Sequence, residues 1–594
     1  MVGLPRMTGA QIVAEMLDRL GIRYISGVPG HTVLDLINAV YDKKDRIRPI
    51  LPRNEEAASF MADAYFRVTH RPMAVFGHIS VGSANLLTGV TNAYLDSSAM
   101  IVITGNAWSR NQGRGAYQEL SRGDRDAATV DMFRGSVKRS WYVDRAERLP
   151  EILLRAYRTA LSGRPGPVHI DITQDAFAEA VDVELPEVVP LEKTLGRPRA
   201  DRANMERALA LLREAKRPAI LAGGGVLLSE ASPELMRVAQ LLGCPVGTTI
   251  HGKGSFPEDH DLAVGITGWV GTVPGNKAMR ECDVLLAVGT RFSETDTSGW
   301  LPGKPFQIPP TKVIQIDIDP LEIGRYYPIE VGLVGDAKAV LEELAAGLQE
   351  DAGDKAAREP WMEEIRASKA EWAEIVRQQF ELDSVPIGPG RVIHELRKAL
   401  PKDGILVCDV GNAAKWASQL FTAYYPGTVL GTMGGAAMGF GAGGAIGAQL
   451  AAPDKRVACW IGDGSMAMTL HVLPTVMELG LPIVYVVLND FAYGAIKRPQ
   501  DFRYGKGRNI FSLFQTADGR PYDLDFAKVG EALGMGAEKV TDPARLAPAL
   551  RKAFDANRPY ILDVRVELET YVPLQGGGTF PLPQYGAHRT LGAG

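Results

Sequence analysis

The segment Val457-Ala458-Cys459-Trp460-Ile461-Gly462-Asp463-Gly464-Ser465 decides how this chain is read. An apolar run of strand length stops at a glycine, an acid, a second glycine and a serine follow, and helical spacing then runs from Thr469 to Glu478. A second apolar run, Ile483 to Leu488, ends in Asn489-Asp490, 27 positions beyond Asp463. If the two strands are parallel neighbours, their ends set Asp463 and Asp490 a few Å apart at the carboxyl edge of a sheet, where open α/β folds bind ligands. Two carboxylates so placed are hard to tolerate without a cation. Together with a loop carbonyl they supply part of the octahedral oxygen set of Mg²⁺, which phosphate oxygens complete. Gly464 and Ser465 open the next helix, whose first amides suit a phosphate. An isolated Gly-Asp-Gly is a common turn; the pairing with Asn489-Asp490 is what predicts a Mg²⁺-bridged diphosphate.

Outward from this unit, strand and helix patterns alternate along the chain, which predicts an α/β fold of three consecutive doubly wound parallel-sheet domains. The first, residues 1–180, starts with a helical run Ala10 to Leu20, a strand Tyr24 to Val28 and a turn at Pro29-Gly30 into a second amphipathic run, and it closes on the strand Val168 to Ile172. A Pro/Glu-rich stretch, Leu185 to Leu191, reads as a linker. The second domain, 195–348, opens on Pro218 to Gly225, and residues 349–372 are read as a charged, solvated connecting helix. The third, 385–575, holds the strand Ile405 to Val410, a glycine-dense stretch from Gly431 to Gly447 and the two aspartates. The outer two domains share an element order. The tail from Gln575 reads as flexible or draped over the surface.

The 594 residues carry 65 Lys+Arg against 70 Asp+Glu, a net charge of −5, so no basic excess points to nucleic acid. The four cysteines (Cys244, Cys282, Cys408, Cys459) lie far apart without metal-ligand spacing and read as buried thiols of a cytoplasmic protein. No signal-like start and no membrane-length apolar run occur, so neither export nor membrane spanning is expected.

These residues resemble the thiamine-diphosphate-dependent enzymes, whose fingerprint is Gly-Asp-Gly, about two dozen residues, then Asn-Asn or Asn-Asp. The resemblance covers nearly the whole chain. It implies Asp463, Asp490 and the Ala492 carbonyl as metal ligands, with Gly462, Gly464, Ser465 and Tyr493 along the diphosphate. Asp409-Val410-Gly411-Asn412 resembles the family's diphosphate-side loop, implicating Gly411 and Asn412, and Gly434 to Gly441 resembles its Gly-Ala-Met-Gly-Phe-Gly segment, implicating Gly434 and Met438. In that family a bulky apolar side chain bends the cofactor, and Met438 holds this position. Arg53-Asn54-Glu55-Glu56-Ala57-Ala58 resembles the segment carrying the glutamate that activates the cofactor's pyrimidine ring, which makes Glu55 the candidate acid. Glu55 would also suit the start of a helix for its dipole alone. Because the family's glutamate and diphosphate site come from different subunits, a homodimer or homotetramer is implied.

Ala116-Tyr117-Gln118-Glu119, Gly252 to Pro257 and Asp317-Ile318-Asp319-Pro320 are similar to the acetohydroxyacid (acetolactate) synthase branch. The resemblance implies carboligation of small 2-oxo acids through a C2 carbanion and an enamine. Decarboxylation, or C–C hydrolysis of the cyclohexanedione hydrolase type, is the alternative. His31 and His78 stand on loops where the synthases have Gly and Thr; with Gln118 they are candidate catalytic groups. After the metal loop, Tyr493 to Pro499 departs from the synthase sequence, which implies a different acceptor pocket. Polar residues Ser121 to Asp126 near the expected entrance could select an anion or have no role. Gly289-Thr290-Arg291-Phe292 resembles the synthase segment that contacts FAD, but Ser293-Glu294-Thr295-Asp296 replaces its Asp-Asp-Arg, which leaves FAD open. Gly223-Gly224-Gly225 lacks dinucleotide spacing and reads as a packing or turn feature. A nicotinamide oxidoreductase and a non-catalytic paralogue are the other classes weighed; neither accounts for Glu55 together with the aspartate pair.

Overall fold

A computed structural model of the chain describes residues 4–120, 128–189 and 196–573. Three six-stranded sheets succeed one another, every pairing within them parallel. The first has the spatial order Arg48–Ile50, Tyr24–Gly27, Ala74–Gly77, Ile101–Asn106, Val168–Thr173, Ser140–Val143. The third repeats that order with Val429–Gly431, Ile405–Cys408, Val457–Gly462, Val484–Asn489, Tyr560–Arg565, Gly536–Val540. The middle sheet runs Ala263–Ile266, Val246–Thr248, Pro218–Ala222, Val284–Val288, Lys312–Asp317, Val331–Val334. An antiparallel pair, Arg6–Thr8 with Ala180–Asp182, ties the start of the first unit to its end.

In each sheet the chain runs first to one side of its opening strand and then to the other, and the loops leaving the two strands at that switch diverge to opposite faces, where such folds open a crevice. Those loops carry His31 and His78 in the first sheet, Gly223 to Gly225 and Gly289 to Arg291 in the middle one, and Asp409 to Asn412 and Asp463 to Ser465 in the third.

The first and third units share a core. Helix Glu55–Thr69 packs along helix Phe440–Ala451, and Phe60, Met61, Ala64, Phe440 and Ile446 belong to one buried cluster with residues of both sheets. Glycine makes the approach close: a Cβ on Gly443 would stand 2.9 Å from the Phe60 Cβ, and one on Gly447 2.0 Å from the Met61 carbonyl oxygen.

The connecting segment departs from its expected form. Residues 349–372 are the end of helix Ala337–Glu350, a break, and the start of helix Glu359–Phe380, and Trp361, Met362 and Ile365 are buried. Arg358, 1% exposed, donates to the carbonyls of Leu212, Ala215 and Leu242, closing two helix C-termini. Counting charge alone misread this face, because the arginine's partners are backbone oxygens. The helix expected from Thr469 instead starts at Asp463 (Asp463–Met468) and, after a short 3₁₀ turn, resumes as Leu473–Leu479. The four cysteines are buried free thiols. Among the described residues no helix is long and apolar enough to cross a membrane. The polar run 121–126 and the tail from Gln575 lie outside the described residues.

Candidate active site

The strands that end in Gly462 and Asn489 are parallel neighbours, with Gly462 beside Leu488. The acids that follow therefore meet. Asp463 Oδ2 accepts the backbone N–H groups of Phe491 (2.7 Å) and Asp490 (3.2 Å), and its Oδ1 accepts that of Gly464 (2.7 Å). Asp490 Oδ1 accepts the N–H of Ala492 at 3.2 Å. Asp463 is buried and Asp490 half-buried. Burial pushes both carboxyls well above the usual carboxylate range, and for Asp490 the charge of Asp463 adds to it. The turn between Asp490 and Ala492 is strained: Phe491 has φ +61°, held by its hydrogen bond to Asp463.

Asn412 reaches the same point from the neighbouring loop. A Cβ on Gly494 would lie 2.8 Å from Asn412 Nδ2 and 3.1 Å from Asp490 Oδ2, so both side chains converge on that bare backbone. Gly411, φ +85°, precedes helix Asn412–Leu420, and Lys415 Nζ donates to Asn412 Oδ1 at 3.2 Å. Gly464 faces the Tyr493 ring at a distance that leaves no room for a side chain, 2.3 Å from its would-be Cβ to Tyr493 Cε1. The site is thus a set of oxygens and backbone amides on adjoining loops, chemistry that fits a hard cation and phosphate oxygens.

Met438, half-buried, stands on the stretch between strand Val429–Gly431 and helix Phe440–Ala451. Positive φ at Ala436 (+48°) and Gly439 (+91°) bends the chain around it. Buried Asp409 fixes the far end, its Oδ2 accepting the N–H groups of Gly441 (2.7 Å) and Gly439 (3.0 Å).

The near end is fixed by Asp96, a residue sequence reasoning missed. Its carboxylate, fully buried, accepts from Gly434 N (2.7 Å), Thr432 Oγ1 (2.7 Å), Arg67 Nη2 (2.9 Å) and His251 Nε2 (2.8 Å), donors drawn from all three units. Burial alone would raise its pKa; Arg67 beside it, with His251 and Thr432, holds it well below the carboxylate range instead. A depressed carboxyl stabilises the fold at neutral pH, and that contribution disappears as pH falls toward the folded-state pKa. Asp96→Ala is expected to cost about 3–5 kcal/mol, because it leaves the Arg67 charge buried with one partner fewer. Urea unfolding at pH 7 measures this; an unchanged midpoint would show that the acid holds nothing.

In the first unit, Glu55 opens helix Glu55–Thr69 behind an Asn54 cap whose Oδ1 accepts the N–H of Glu56 at 2.8 Å. An acid there suits the helix dipole, but its surroundings are specific. Glu55 is buried, its Oε2 accepts from Asn85 Nδ2 at 2.9 Å, and a Cβ on Gly82 would stand 2.8 Å from Oε1 and 3.3 Å from the Cβ of His78. Glu55 and His78 therefore flank one bare glycine. His78 Nε2 lies 2.6 Å from Gln118 Oε1, and Gln118 holds φ +62°, rare for a residue with a side chain. The rings of His31 and His78 meet edge to face at 4.5 Å, and Tyr117 lies 5.5 Å from His31. Burial, then the neighbouring His78, lowers the pKa of His31.

The four predicted groups of the first unit thus form one cluster, and the predicted metal and diphosphate residues form another. Both clusters lie beside exposed apolar side chains. Leu34, Val81 and Tyr117 (76% exposed) flank the first, and Met468, Ile496 and Phe511 (91%) the second. Asn85, Asp96 and Lys415 had no motif to mark them.

A cavity of about 740 Å³ opens where the order of the middle sheet reverses, lined among others by Gly224, Gly225, Thr290, Arg291 and Asp317. A Cβ on Gly225 would lie 2.7 Å from the Cα of Gly289, so close backbone approach explains this glycine.

Comparison with known proteins finds a match for each of the three units. The thiamine pyrophosphate enzyme N-terminal TPP binding domain matches residues 7–127, the central domain 205–344 and the C-terminal TPP binding domain 409–564. The "probable acetolactate synthase large subunit" of Methanocaldococcus jannaschii is 34% identical over 96% of this chain and 93% of that protein. The acetolactate synthase large subunit of Haemophilus influenzae is 33% identical over 96% and 97%, and isozyme 3 of Escherichia coli 31% over 96% and 97%. The chain belongs to the thiamine pyrophosphate enzymes, and within them to the branch of the acetolactate synthase large subunits.

Proposed function

We propose that this protein is a thiamine-diphosphate- and Mg²⁺-dependent carboligase that takes pyruvate or a similar small 2-oxo acid as donor and a second carbonyl compound as acceptor. The meeting of Asp463 and Asp490 among loop oxygens and backbone amides carries the reading, because two carboxylates so close favour a cation whose remaining sites phosphate oxygens would fill. Asp463, Asp490 and the Ala492 carbonyl would hold Mg²⁺. Gly411, Asn412, Gly462, Gly464, Ser465 and Tyr493 border the space for the diphosphate, and Gly434 and Met438 shape the segment under its other end. When bound, thiamine diphosphate supplies the nucleophilic carbon and the electron sink for cleaving a bond beside a carbonyl.

The remaining work falls to the first unit. Glu55 holds or releases a proton at its carboxyl oxygens, steered by Asn85. His31, His78 and Gln118 bind and orient the carbonyl substrates and move a proton at the imidazole nitrogens. A histidine pair makes this pocket more polar than a Gly/Thr one, which favours substrates with additional oxygens.

Exposed Leu34, Val81 and Tyr117 on one cluster and Met468, Ile496 and Phe511 on the other support a homodimer or homotetramer in which one chain's first unit covers another's third. Sedimentation should give a species of at least two chains, and a strict monomer with full activity would overturn this. The central cavity suits a nucleotide, with Asp317 at a strand end placed for a ribose hydroxyl. A bound FAD would give the purified protein a flavin absorption spectrum.

The test of function is product analysis. Protein, Mg²⁺ and thiamine diphosphate are incubated with pyruvate, glyoxylate, benzoylformate and a cyclic 1,2-dione, and products identified by mass spectrometry. Acetolactate or a mixed carboligation product is expected; an aldehyde alone, or a ring-opened dione, would replace carboligation by decarboxylation or hydrolysis.

A further inference from the structure

We infer that Thr32 is a positioning residue that fixes the tautomer of His78, so that the ring presents an N–H at Nε2. The inference rests on the reading of His78 as a group of the active site. Thr32 is buried, and its Oγ1 lies 2.9 Å from His78 Nδ1. The Thr32 backbone N–H also points at Nδ1, at 3.5 Å. A backbone N–H can only donate, so a proton on Nδ1 would face another proton, whereas a lone pair there accepts from both the hydroxyl and the amide.

The oxygen's other contacts agree with this. Thr32 Oγ1 accepts the N–H of Ile79 at 3.2 Å, which leaves its own proton free to donate; the alternative acceptor, the Gly105 carbonyl, is further away at 3.2 Å than Nδ1 at 2.9 Å. On the far side of the ring, Nε2 faces Gln118 Oε1 at 2.6 Å, an acceptor that requires a donor. With the proton on Nε2 both ring nitrogens are satisfied, and the Thr32 hydroxyl gives its single proton to Nδ1 in preference to the more distant Gly105 carbonyl.

Two glycines make the arrangement possible. A Cβ on Gly30 would lie 2.3 Å from the His78 Cγ, and one on Gly105 would lie 2.6 Å from Thr32 Oγ1. The ring and the hydroxyl are seated against bare backbone and cannot exchange places. Around His78 the titratable neighbours are His31 and, across Gly82, Glu55. With its proton on Nε2, His78 is set to donate to a substrate oxygen that takes the place of Gln118, and Thr32 replenishes no proton but holds the ring in that form.

Neutron diffraction of the wild-type holoenzyme reads the tautomer directly. A deuteron on Nε2 and none on Nδ1 is expected; a deuteron on Nδ1 alone overturns the inference. With pyruvate as the probe, Thr32→Val should lower kcat about ten-fold with little change in KM, the worth of one buried hydrogen bond, and Thr32→Ser should restore most of it. In a His78→Ala background the Thr32→Val change should have almost no further effect; an undiminished second loss would mean that Thr32 acts on something else. Should His78→Ala leave activity intact, the reading of His78 itself fails, while the deuteron still decides what Thr32 does. Misfolding of Thr32→Val would leave the wild-type neutron map as the deciding result.

Discussion

Asp463→Ala is expected to leave a protein that no longer retains Mg²⁺ or thiamine diphosphate through gel filtration and shows no measurable turnover. Altering a group that merely orients a metal ligand costs about 10–100-fold in affinity, so loss of a direct ligand should cost more than about 100-fold. The effect has two sources that a second variant separates. Asp463 also accepts three backbone N–H groups, from Gly464, Asp490 and Phe491, and the alanine leaves all three without that partner. Asp463→Asn keeps one acceptor oxygen for part of that set, replaces the other with an NH2 that can only donate, and removes the charge. If the charge is what matters, Asn and Ala lose the cofactor alike, while Asn, which keeps part of the acceptor set, unfolds at a midpoint between those of Ala and wild type. Titration of both variants with Mg²⁺ and thiamine diphosphate, followed by calorimetry, measures this, and wild-type affinity in Asp463→Asn would remove the metal from the site. Chelation of the wild-type protein should release the cofactor in the same way.

Glu55→Gln should lower kcat by about 10²–10⁴-fold, the usual worth of a positioned acid–base group, equivalent to about 3–5 kcal/mol of barrier. The substitution is close to isosteric. Its amide oxygen can still accept from Asn85, and the space over Gly82 is unchanged. Fold, assembly and cofactor affinity are therefore expected to survive, which separates this variant from Asp463→Ala, where binding itself is lost. Steady-state kinetics beside a binding isotherm gives the comparison. Full activity in Glu55→Gln would mean that the acid serves only the helix start, the role its position as first residue of Glu55–Thr69 also suits.

Much of the site was legible because it depends on neighbours in sequence or on strand ends that pairing rules bring together. The apolar run before Gly462 and the one before Asn489 specify two buried strands, and parallel adjacency then leaves Asp463 and Asp490 no choice but to meet. Met438 and Glu55 were visible through the motifs around them. The charged stretch 349–372 was misread for the opposite reason, since nothing local reveals that Arg358 is surrounded by helix-ending carbonyls from over a hundred residues away.

The sequence by itself therefore determined the three parallel α/β units and the meeting of the two acids at one sheet edge, because strand periodicity and loop composition are properties of short segments. Tertiary structure alone decided that His31, His78, Gln118 and Glu55 form one cluster, that Thr32 faces a ring 46 residues away, and that Asp96 grips a segment 338 residues beyond it. Those contacts form where sheets and helices pack, and packing partners are chosen by shape and burial over the whole fold, which leaves no periodic trace along the chain.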